Sequence, residues 1–197
     1  MSKIQSYIFI GRSGCGKGTQ VDLLMKKLKQ NDANIPILYI QSGYELREFV
    51  KGTSYTAGIA REILKVGGLM PEFMPIYLWG KLFTEKFTGK ETLVFDGTPR
   101  KLMESQILDS LFPFYGLGKP WVIYLDVDHE ESTKRLKLRG RSDDGEHEIE
   151  KRLAWYETDV APSIEFYRKN PNANFLDVDG ERTIQEIHED IVKRVGL

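Results

Sequence analysis

The sequence predicts an α/β fold, in which a parallel β-sheet of about five strands is flanked by helices. Short apolar segments alternate along the chain with longer segments that carry apolar residues at helical spacing. Several of the short segments lack polar alternation, as expected of strands that are covered on both faces. The first of them, 7–10, runs into a glycine-rich loop, and a helix-like segment follows the loop. Such a unit is typical of a parallel sheet that binds ligands at the carboxyl ends of its strands.

These patterns define the predicted elements in chain order. The predicted strands are rich in Ile, Val, Leu, Phe or Tyr and span 7–10, 37–40, 93–95, 122–127 and 174–178. The predicted helices span 16–30, 44–50, 56–66, 72–87, 101–111, 130–138, 146–168 and 184–195. Two helices within 44–66 lie between the second and third strands and exceed the minimal strand–helix alternation. We therefore predict that they form an insert.

The composition favours a single globular domain. The 197 residues suffice for one hydrophobic core, and 28 Lys and Arg against 29 Asp and Glu give a net charge of −1. We therefore expect neither nucleic acid nor a membrane as a partner. One cysteine excludes an internal disulfide and a cysteine-based zinc site. The chain shows no signal-peptide pattern and no apolar run of membrane-spanning length, so we expect a cytoplasmic location.

Residues 11–20, with the sequence GRSGCGKGTQ, form the most informative segment. The glycines let backbone N–H groups curl inward, and the following helix adds its positive N-terminal end, so together they form a cradle for a nucleotide's phosphates. Lys17 would reach the β- and γ-phosphates. The Ser or Thr that usually follows this lysine is replaced by Gly18, and the hydroxyl comes one residue later, at Thr19. The alternative, a glycine-rich turn with an incidental lysine, is disfavoured by the position between strand and helix. Within the loop we expect Cys15 to pack rather than to act in catalysis.

An acidic residue and an arginine follow the third predicted strand. Asp96 ends that strand, where it can hold Mg²⁺ directly or through water near a phosphate loop. The alternative role for Asp96 is a helix cap for the residues from 101 onward. Gly97 permits a close turn, so that Arg100 emerges beside the cleft.

Three further arginines, Arg139, Arg141 and Arg152, lie in or after a compact charged loop between two predicted helices. A loop of this composition is usually a solvated surface turn. If the loop closes over the phosphate cradle, however, they supply the positive charge that phosphoryl transfer needs around three equatorial oxygens. Asp143 and Asp144 would then orient the arginines or close the loop rather than act as bases.

Together these motifs resemble the adenylate kinase family of nucleoside monophosphate kinases, in its short-lid form. The family's phosphate loop ends GKGTQ, as residues 16–20 do, and its monophosphate-site segment, like GDLLR, is similar to GYELR at 43–47. The family's GxLVP and DGFPR segments match GGLMP at 67–71 and DGTPR at 96–100. The lid signature, an arginine, GRxDD and an arginine eight residues on, matches 139–152. The similarity runs from Gly11 to about Ile191.

The resemblance implies a P-loop NTPase-type fold and a reaction. The chain would reversibly transfer the γ-phosphoryl group of ATP to a nucleoside monophosphate, with AMP implied by family frequency and with GMP, CMP and UMP as open alternatives. Mg²⁺ would accompany ATP, and the cysteine-free lid excludes the zinc of some relatives. ATP and the monophosphate are the expected partners of a monomer.

The resemblance also implies roles for individual residues. Arg135 would stack on the donor base, Arg47 and Arg100 would bind the acceptor phosphate, and Asp96 would position Mg²⁺ through water. The implied catalytic residues are Lys17, Arg100, Arg139, Arg141 and Arg152. The implied ATP-binding residues are Gly14, Cys15, Gly16, Lys17, Gly18, Thr19, Arg135 and Arg139. The implied monophosphate-binding residues are Ser42, Gly43, Arg47, Leu69, Gly97, Arg100, Glu104, Arg141 and Arg152.

The resemblance divides the chain into three parts. The core would comprise 1–41, 71–138 and 152–197, the monophosphate-binding insert 42–70, and a very short lid 139–151. Lids of this kind close to exclude water and so prevent hydrolysis of the donor.

The chain departs from the family pattern at three positions. Tyr44 replaces the usual aspartate and Thr98 the usual aromatic residue, and Glu104 stands where relatives have the glutamine that reads the acceptor adenine. An amide offers one donor and one acceptor, which suits adenine, whereas a carboxylate offers only acceptors and suits the N1–H and N2–H donors of guanine. Alternatively, Glu104 points to solvent, and backbone groups near Leu69 fix the base.

Two other functional classes are weighed against this interpretation. A phosphate-loop kinase of a neutral small metabolite would not need the acceptor arginines Arg47 and Arg100. A non-catalytic nucleotide-binding protein would be expected to lack lid arginines, yet Arg139, Arg141 and Arg152 are all present. Both alternatives are therefore disfavoured.

Overall fold

A computed structural model of the protein describes residues 4–140 and 145–197. The described residues contain a parallel sheet of five strands in the order β2-β3-β1-β4-β5. The strands are β1 Ser6–Ile10, β2 Ile37–Gln41, β3 Thr92–Asp96, β4 Trp121–Asp126 and β5 Asn174–Asp179. The predicted α/β class is confirmed, and each predicted strand is present within one residue or so of its expected bounds.

The helices cover both faces of the sheet. They are α1 Lys17–Asn31, α2 Ser42–Phe49, α3 Tyr55–Lys65, α4 Phe73–Lys86, α5 Leu102–Phe114, α6 His129–Arg139, α7 Glu146–Trp155, α8 Ala161–Lys169 and α9 Ile184–Val195. The sequence predicted one helix over 146–168, whereas the structure divides it with a π-helical turn, Tyr156–Val160. A π turn adds a residue to one helical turn and leaves the surrounding apolar spacing nearly unchanged, so periodicity does not reveal it.

The core has one apolar layer on each face of the sheet, and β1 contributes to both layers. Ile8 and Ile10 join the layer that contains Phe95 and Phe112, while Tyr7 and Phe9 join the layer beneath α1 and α9. Side chains alternate between the two faces of a strand. Because both faces of β1 are buried, the strand reads as a continuous apolar run.

The register places the carboxyl ends of the central strands side by side. Phe9 of β1 pairs with Asp96 of β3, and Ile10 pairs with Tyr124 of β4. The glycine loop after β1 and the segment after β3 therefore leave the same edge of the sheet, where α/β proteins bind their ligands. Within 4–140 and 145–197, none of the helices has the length and hydropathy required to cross a bilayer.

Candidate functional site

A cleft of about 1370 Å³ opens at this edge of the sheet. Its walls come from the glycine loop, the insert, the segment after β3, and α6 and α7. The cleft is lined by every predicted site residue that the structure describes: Gly14, Cys15, Gly16, Lys17, Gly18, Thr19, Ser42, Gly43, Arg47, Leu69, Asp96, Gly97, Arg100, Glu104, Arg135, Arg139 and Arg152. Arg141, Asp143 and Asp144 lie outside the described residues.

Three glycines of the loop, Gly11, Gly14 and Gly16, have backbone conformations that other residues rarely adopt. Gly14 has φ +87°, and a Cβ atom there would lie 2.6 Å from the Ser132 carbonyl oxygen of α6. Gly16 has φ +96° and is the N-cap of α1, so no side chain competes for the N–H groups of the first helical turn. Those groups are available to an anion in the cleft.

Carbonyl groups of the loop hold the ammonium group of Lys17. The Nζ atom donates hydrogen bonds to the carbonyl oxygens of Gly11 and Arg12, each at 2.8 Å, and lies 3.3 Å from Cys15 Sγ. Cys15 itself is buried and belongs to the apolar layer beneath α1. The positive charge of Lys17 therefore lies within the loop, in reach of a phosphate bound there.

The carboxylate of Asp96 lies beside the first turn of α1. Its Oδ2 atom accepts hydrogen bonds from Tyr39 Oη at 3.0 Å and Gln41 Nε2 at 3.1 Å, and lies 3.7 Å from the position that a Cβ atom of Gly18 would occupy. The alternative that Asp96 caps a helix is wrong, because α5 begins at Leu102 without a side-chain cap.

A single carboxylate at the phosphate cradle fits Mg²⁺ bound mainly by phosphates and water. In the part of the chain that the structure describes, no three His, Cys, Asp or Glu residues cluster as a metal site would require. Mg²⁺ in nucleotide sites keeps several waters and needs only one or two protein carboxylates. Asp96 satisfies that requirement.

Three guanidinium groups lie close together at the cleft. Arg47 comes from α2, Arg152 from α7, and Arg100 from the segment before α5. Burial is the largest cause that lowers the pKa of Arg100, and the nearby charges of Arg152 and Arg47 lower it further. Asp96 and Glu104 act in the opposite direction. This concentration of positive charge in a poorly solvated place favours a multiply charged anion such as a phosphate.

Two glycines, Gly43 and Gly97, lie beside these arginines. A Cβ atom at Gly43 would lie 3.3 Å from Arg47 Nη1 and 3.9 Å from Arg100 Nη2. Gly97, with φ +72°, accepts hydrogen bonds on its carbonyl oxygen from Arg100 Nε at 3.0 Å and from Ser42 Oγ at 2.6 Å. The insert and the segment after β3 therefore meet at Arg47 and Arg100.

Helix α6 contributes Arg135 and Arg139 to the wall of the cleft. Arg135 Nε donates to Glu131 Oε1 at 2.7 Å, and its Nη1 lies 3.5 Å from the Cys15 carbonyl oxygen. This guanidinium therefore lies over the glycine loop, where a nucleotide base could stack on its plane. Arg139 is the last residue of α6 and is exposed.

The carboxyl group of Glu104 is buried, with 2% of the residue exposed. Its Oε2 atom accepts a hydrogen bond from the Arg100 backbone N–H at 3.0 Å and a longer one from Thr98 Oγ1 at 3.4 Å. The alternative that Glu104 points to solvent is wrong. Burial is the largest influence on the pKa of Glu104 and raises it, although the bond from Arg100 N–H opposes the shift.

The insert contacts α7 across the cleft. Lys151 Nζ donates to the Val66 carbonyl oxygen at 3.0 Å, and a Cβ atom at Gly67 would lie 3.1 Å from Glu148 Cα. Gly67 has φ +65°, so glycine serves both the turn and the close approach. The two walls that supply Arg47 and Arg152 are thus held together.

The sequence did not lead us to the residues that hold the side chains of Asp96 and Arg135 in place. Tyr39 and Gln41 hold Asp96 from the neighbouring strand, and Gln41 lies in register with Asp96. The polar residue at the end of β2 was a signal that could have identified this contact. Glu131 orients Arg135 at i,i+4 helical spacing, which was also visible in the sequence.

Comparisons with known proteins point to one family. The family model described as adenylate kinase matches residues 9–172. The chain is similar to the adenylate kinase of Azobacteroides pseudotrichonymphae, with 31% identity over 94% of each chain. It is 31% identical to adenylate kinase 1 of a Nostoc species over 96% of this chain and 97% of the relative. It is also 32% identical to the adenylate kinase of Leptospira biflexa over 95% and 98%, respectively.

Proposed function

Because the chain belongs to the adenylate kinase family, we propose that its cleft transfers the γ-phosphoryl group of ATP to AMP, giving two ADP, with the residues described above. The chain is therefore a phosphotransferase that acts on nucleoside monophosphates. One observation carries the residue assignments. The cleft contains two separate anion sites, the glycine loop with Lys17 on one side and the cluster of Arg47, Arg100 and Arg152 on the other.

The donor triphosphate binds at the glycine loop in this proposal. The first N–H groups of α1 and the ammonium of Lys17 neutralise its β- and γ-phosphates, and Arg135 stacks on the base. Tyr39 and Gln41 hold one oxygen of Asp96, so the carboxylate is oriented to bind the water shell of Mg²⁺. When bound, the ion would supply charge neutralisation for the phosphates of the donor.

The acceptor phosphate binds between Arg47 and Arg100. Its oxygen then attacks the γ-phosphorus in line, and the bond to the β-phosphate oxygen breaks. Arg152, with Arg139 and Arg141, stabilises the charge on the equatorial oxygens of the transferred group. The catalytic effect is therefore positioning and electrostatic stabilisation in a cleft from which water is excluded.

The proposed domain division follows from these roles. Residues 42–70 form the monophosphate-binding insert, 139–151 the lid, and the remaining segments, 1–41, 71–138 and 152–197, the core. A monomer contains all the residues that the mechanism uses, so we propose that the active protein is monomeric and cytoplasmic and needs neither nucleic acid, nor a membrane, nor zinc.

A second acceptor is favoured by one specific observation. Glu104 is buried at the cleft rather than exposed, and an ionised carboxylate accepts hydrogen bonds from guanine better than from adenine. GMP is therefore the alternative acceptor, in the same chemistry. A kinase of a neutral metabolite is disfavoured, because such an acceptor gives Arg47 and Arg100 no charge to bind.

A coupled assay with ATP and a panel of nucleoside monophosphates tests the proposal. We expect turnover with AMP that depends on Mg²⁺, measured against GMP, CMP and UMP under the same conditions. Turnover with no monophosphate, in a protein that melts cooperatively, would contradict the proposed function. Turnover with GMP but not with AMP would support the same reaction and identify GMP as the acceptor.

A ligand that joins donor and acceptor through a polyphosphate chain should bind at both sites together. We expect its affinity to exceed that of ATP by at least about a hundredfold, because the second binding event becomes intramolecular. Calorimetry measures both affinities. Arg47→Ala should weaken binding of the joined ligand and leave ATP binding unchanged, whereas equal affinity of the joined ligand and ATP would contradict a two-site cleft.

A further inference from the structure

The side chain of Arg12 has no role in the mechanism above, although it belongs to the glycine loop. Ser13 and Gly14 line the cleft, but Arg12 does not appear among the described lining residues. Its guanidinium carbon lies 3.6 Å from the centroid of the Tyr156 ring. Only 11% of the Arg12 side chain is exposed. The side chain is thus packed behind the phosphate cradle.

The ring of Tyr156, rather than a carboxylate, is the main partner of Arg12. Arg12 Nη2 also lies 3.6 Å from Glu157 Oε1, but the Glu157 side chain is 74% exposed. Exposed pairs of this kind contribute little, whereas a cation over an aromatic face gains strength when it is removed from water. Among the described residues, the buried Arg12 Nε has no hydrogen-bond partner, so the guanidinium depends on the ring.

Hydrogen bonds fix the position of the Tyr156 ring. The Tyr156 and Tyr124 hydroxyl oxygens are 2.5 Å apart, and the Tyr124 hydroxyl donates to Asp126 Oδ1 at 2.7 Å. Asp126 ends β4, which is the neighbour of β1 in the sheet. A line of contacts therefore runs from the glycine loop through Arg12 and Tyr156 to the adjacent strand.

Tyr156 also begins the π-helical turn that connects α7 to α8. Arg152 lies four residues earlier on α7, about one helical turn away. The extra residue of a π turn changes the rotation of one helix relative to the next. Because α8 is fixed to α5 by the Ser105–Ser163 hydroxyl contact at 2.6 Å, contacts on the π turn act together with the packing of α7 on α6 and its bond to the insert to set the direction in which α7 presents Arg152.

The same π turn also contacts the segment that follows Arg100. Lys101, which follows the acceptor residue Arg100, has its Nζ atom 3.7 Å from Asp159 Oδ1. Arg12, for its part, also accepts a hydrogen bond from Lys17 on its backbone carbonyl oxygen. The π turn therefore contacts both the donor loop and the acceptor segment.

We propose that Arg12 is a positioning residue, which through its contact with Tyr156 orients the helical turn that carries Arg152 toward the phosphoryl group in transfer. The inference rests on the proposed role of Arg152. Arg12 touches neither nucleotide. Its side chain acts through Tyr156, while its backbone carbonyl continues to hold Lys17.

Turnover and ligand binding of Arg12→Ala test this role. We expect kcat to fall at least about tenfold with little change in KM for ATP, because Arg152 acts mainly in the transition state. Affinity for the joined donor–acceptor ligand should fall while ATP affinity stays constant.

Arg12→Lys should not restore kcat, because an ammonium lacks the planar face that stacks on a ring. Tyr156→Leu should reproduce Arg12→Ala, and Glu157→Gln should resemble the wild type.

A double-mutant cycle distinguishes positioning from general stability. If Arg12 acts through Arg152, Arg12→Ala adds no loss in the Arg152→Ala background, whether measured as turnover or as affinity for the joined ligand. Additive losses would overturn the inference. Arg194→Ala is the matched control, because Arg194 is not among the described residues that line the cleft and its Nη1 atom donates to the Asp177 carbonyl oxygen at 2.6 Å. It should shift the melting temperature without changing kcat.

The outcomes separate this inference from the proposed function. A wild-type protein without kinase activity would remove the proposed function. An active wild type with unchanged kcat in both Arg12→Ala and Tyr156→Leu would overturn only the positioning role. Tyr156→Phe keeps the ring over Arg12 and removes its hydroxyl bond to Tyr124, so its loss of kcat should lie between that of the wild type and that of Arg12→Ala. This variant keeps the inference testable if Tyr156→Leu fails to fold.

Discussion

Lys17→Ala should lower turnover at saturating ATP and AMP by at least about a hundredfold, because cations that clamp phosphates act mainly in the transition state. Arg152→Ala should produce a loss of the same order, since its guanidinium lies near that of Arg100 and, in the proposed mechanism, stabilises the transferred phosphoryl group. In both variants kcat should change more than KM for AMP. Initial rates in a coupled assay, measured over a full range of both substrates, separate the two parameters.

The fold should survive the Lys17→Ala substitution. The lost hydrogen bonds to the Gly11 and Arg12 carbonyl oxygens each contribute about 1 kcal/mol, which is a small part of the stability of a domain. A thermal melt should therefore remain cooperative. Lys26→Ala is the matched control, because Lys26 is exposed on the same helix. Near-normal turnover of Lys17→Ala would remove the phosphate-loop assignment.

The strands and the loop chemistry could be predicted because they depend on local pattern. The segment 7–10 is apolar on both faces, and such a segment followed by glycines and a helix has few alternatives in a parallel sheet. Asp96 and Arg100 follow a strand end, so the topology alone brings them to the loop. The convergence of Arg47 with Arg152 came instead from family resemblance, since spacing along the chain does not bring α2 and α7 together.

The remaining features depend on contacts between distant segments. The π turn was predicted as ordinary helix, because Tyr156 and Val160 occupy positions that fit either geometry. From the sequence alone, Arg12 would be taken for a solvated loop residue. The structure shows instead that it packs against the Tyr156 ring. The direction of the Glu104 side chain was open for the same reason. A charged residue in the first turn of a helix is usually exposed, and only the packing of Thr98 and Arg100 around it shows that it is buried.

The buried carboxyl group of Glu104 leads to a prediction about pH. Burial raises the pKa of Glu104 above its usual range, so the protonated form persists to higher pH in the folded protein than in the unfolded chain. The contribution of this group to stability is therefore fully present below its unfolded pKa and is lost as the pH rises through its folded pKa. Glu104→Gln removes that dependence. The difference in free energy of unfolding between the variant and the wild type should thus grow in favour of the variant as the pH rises through this window.

The same substitution should change the choice of acceptor. Both hydrogen bonds to Glu104 end on Oε2, which leaves Oε1 as the oxygen that a base in the cleft would meet. Ionised, Oε1 sets a lone pair against N1 of adenine but accepts hydrogen bonds from N1–H and N2–H of guanine. Protonated, the carboxyl group can donate to adenine. The preference of the wild type for AMP over GMP should therefore weaken as the pH rises through the folded pKa of Glu104.

Glu104→Gln should raise the ratio of kcat/KM for AMP to that for GMP by at least about tenfold, because sites that read hydrogen bonds discriminate by up to about four or five decades. The amide supplies the donor that adenine N1 needs at every pH, so the pH dependence of the ratio should disappear with the carboxyl group. Gln106→Glu is the matched control, since it places a carboxylate on the exposed side of the same helix. If the ratio stays unchanged in Glu104→Gln, the carboxyl group serves the Arg100 backbone alone, and backbone groups near Leu69 must read the base.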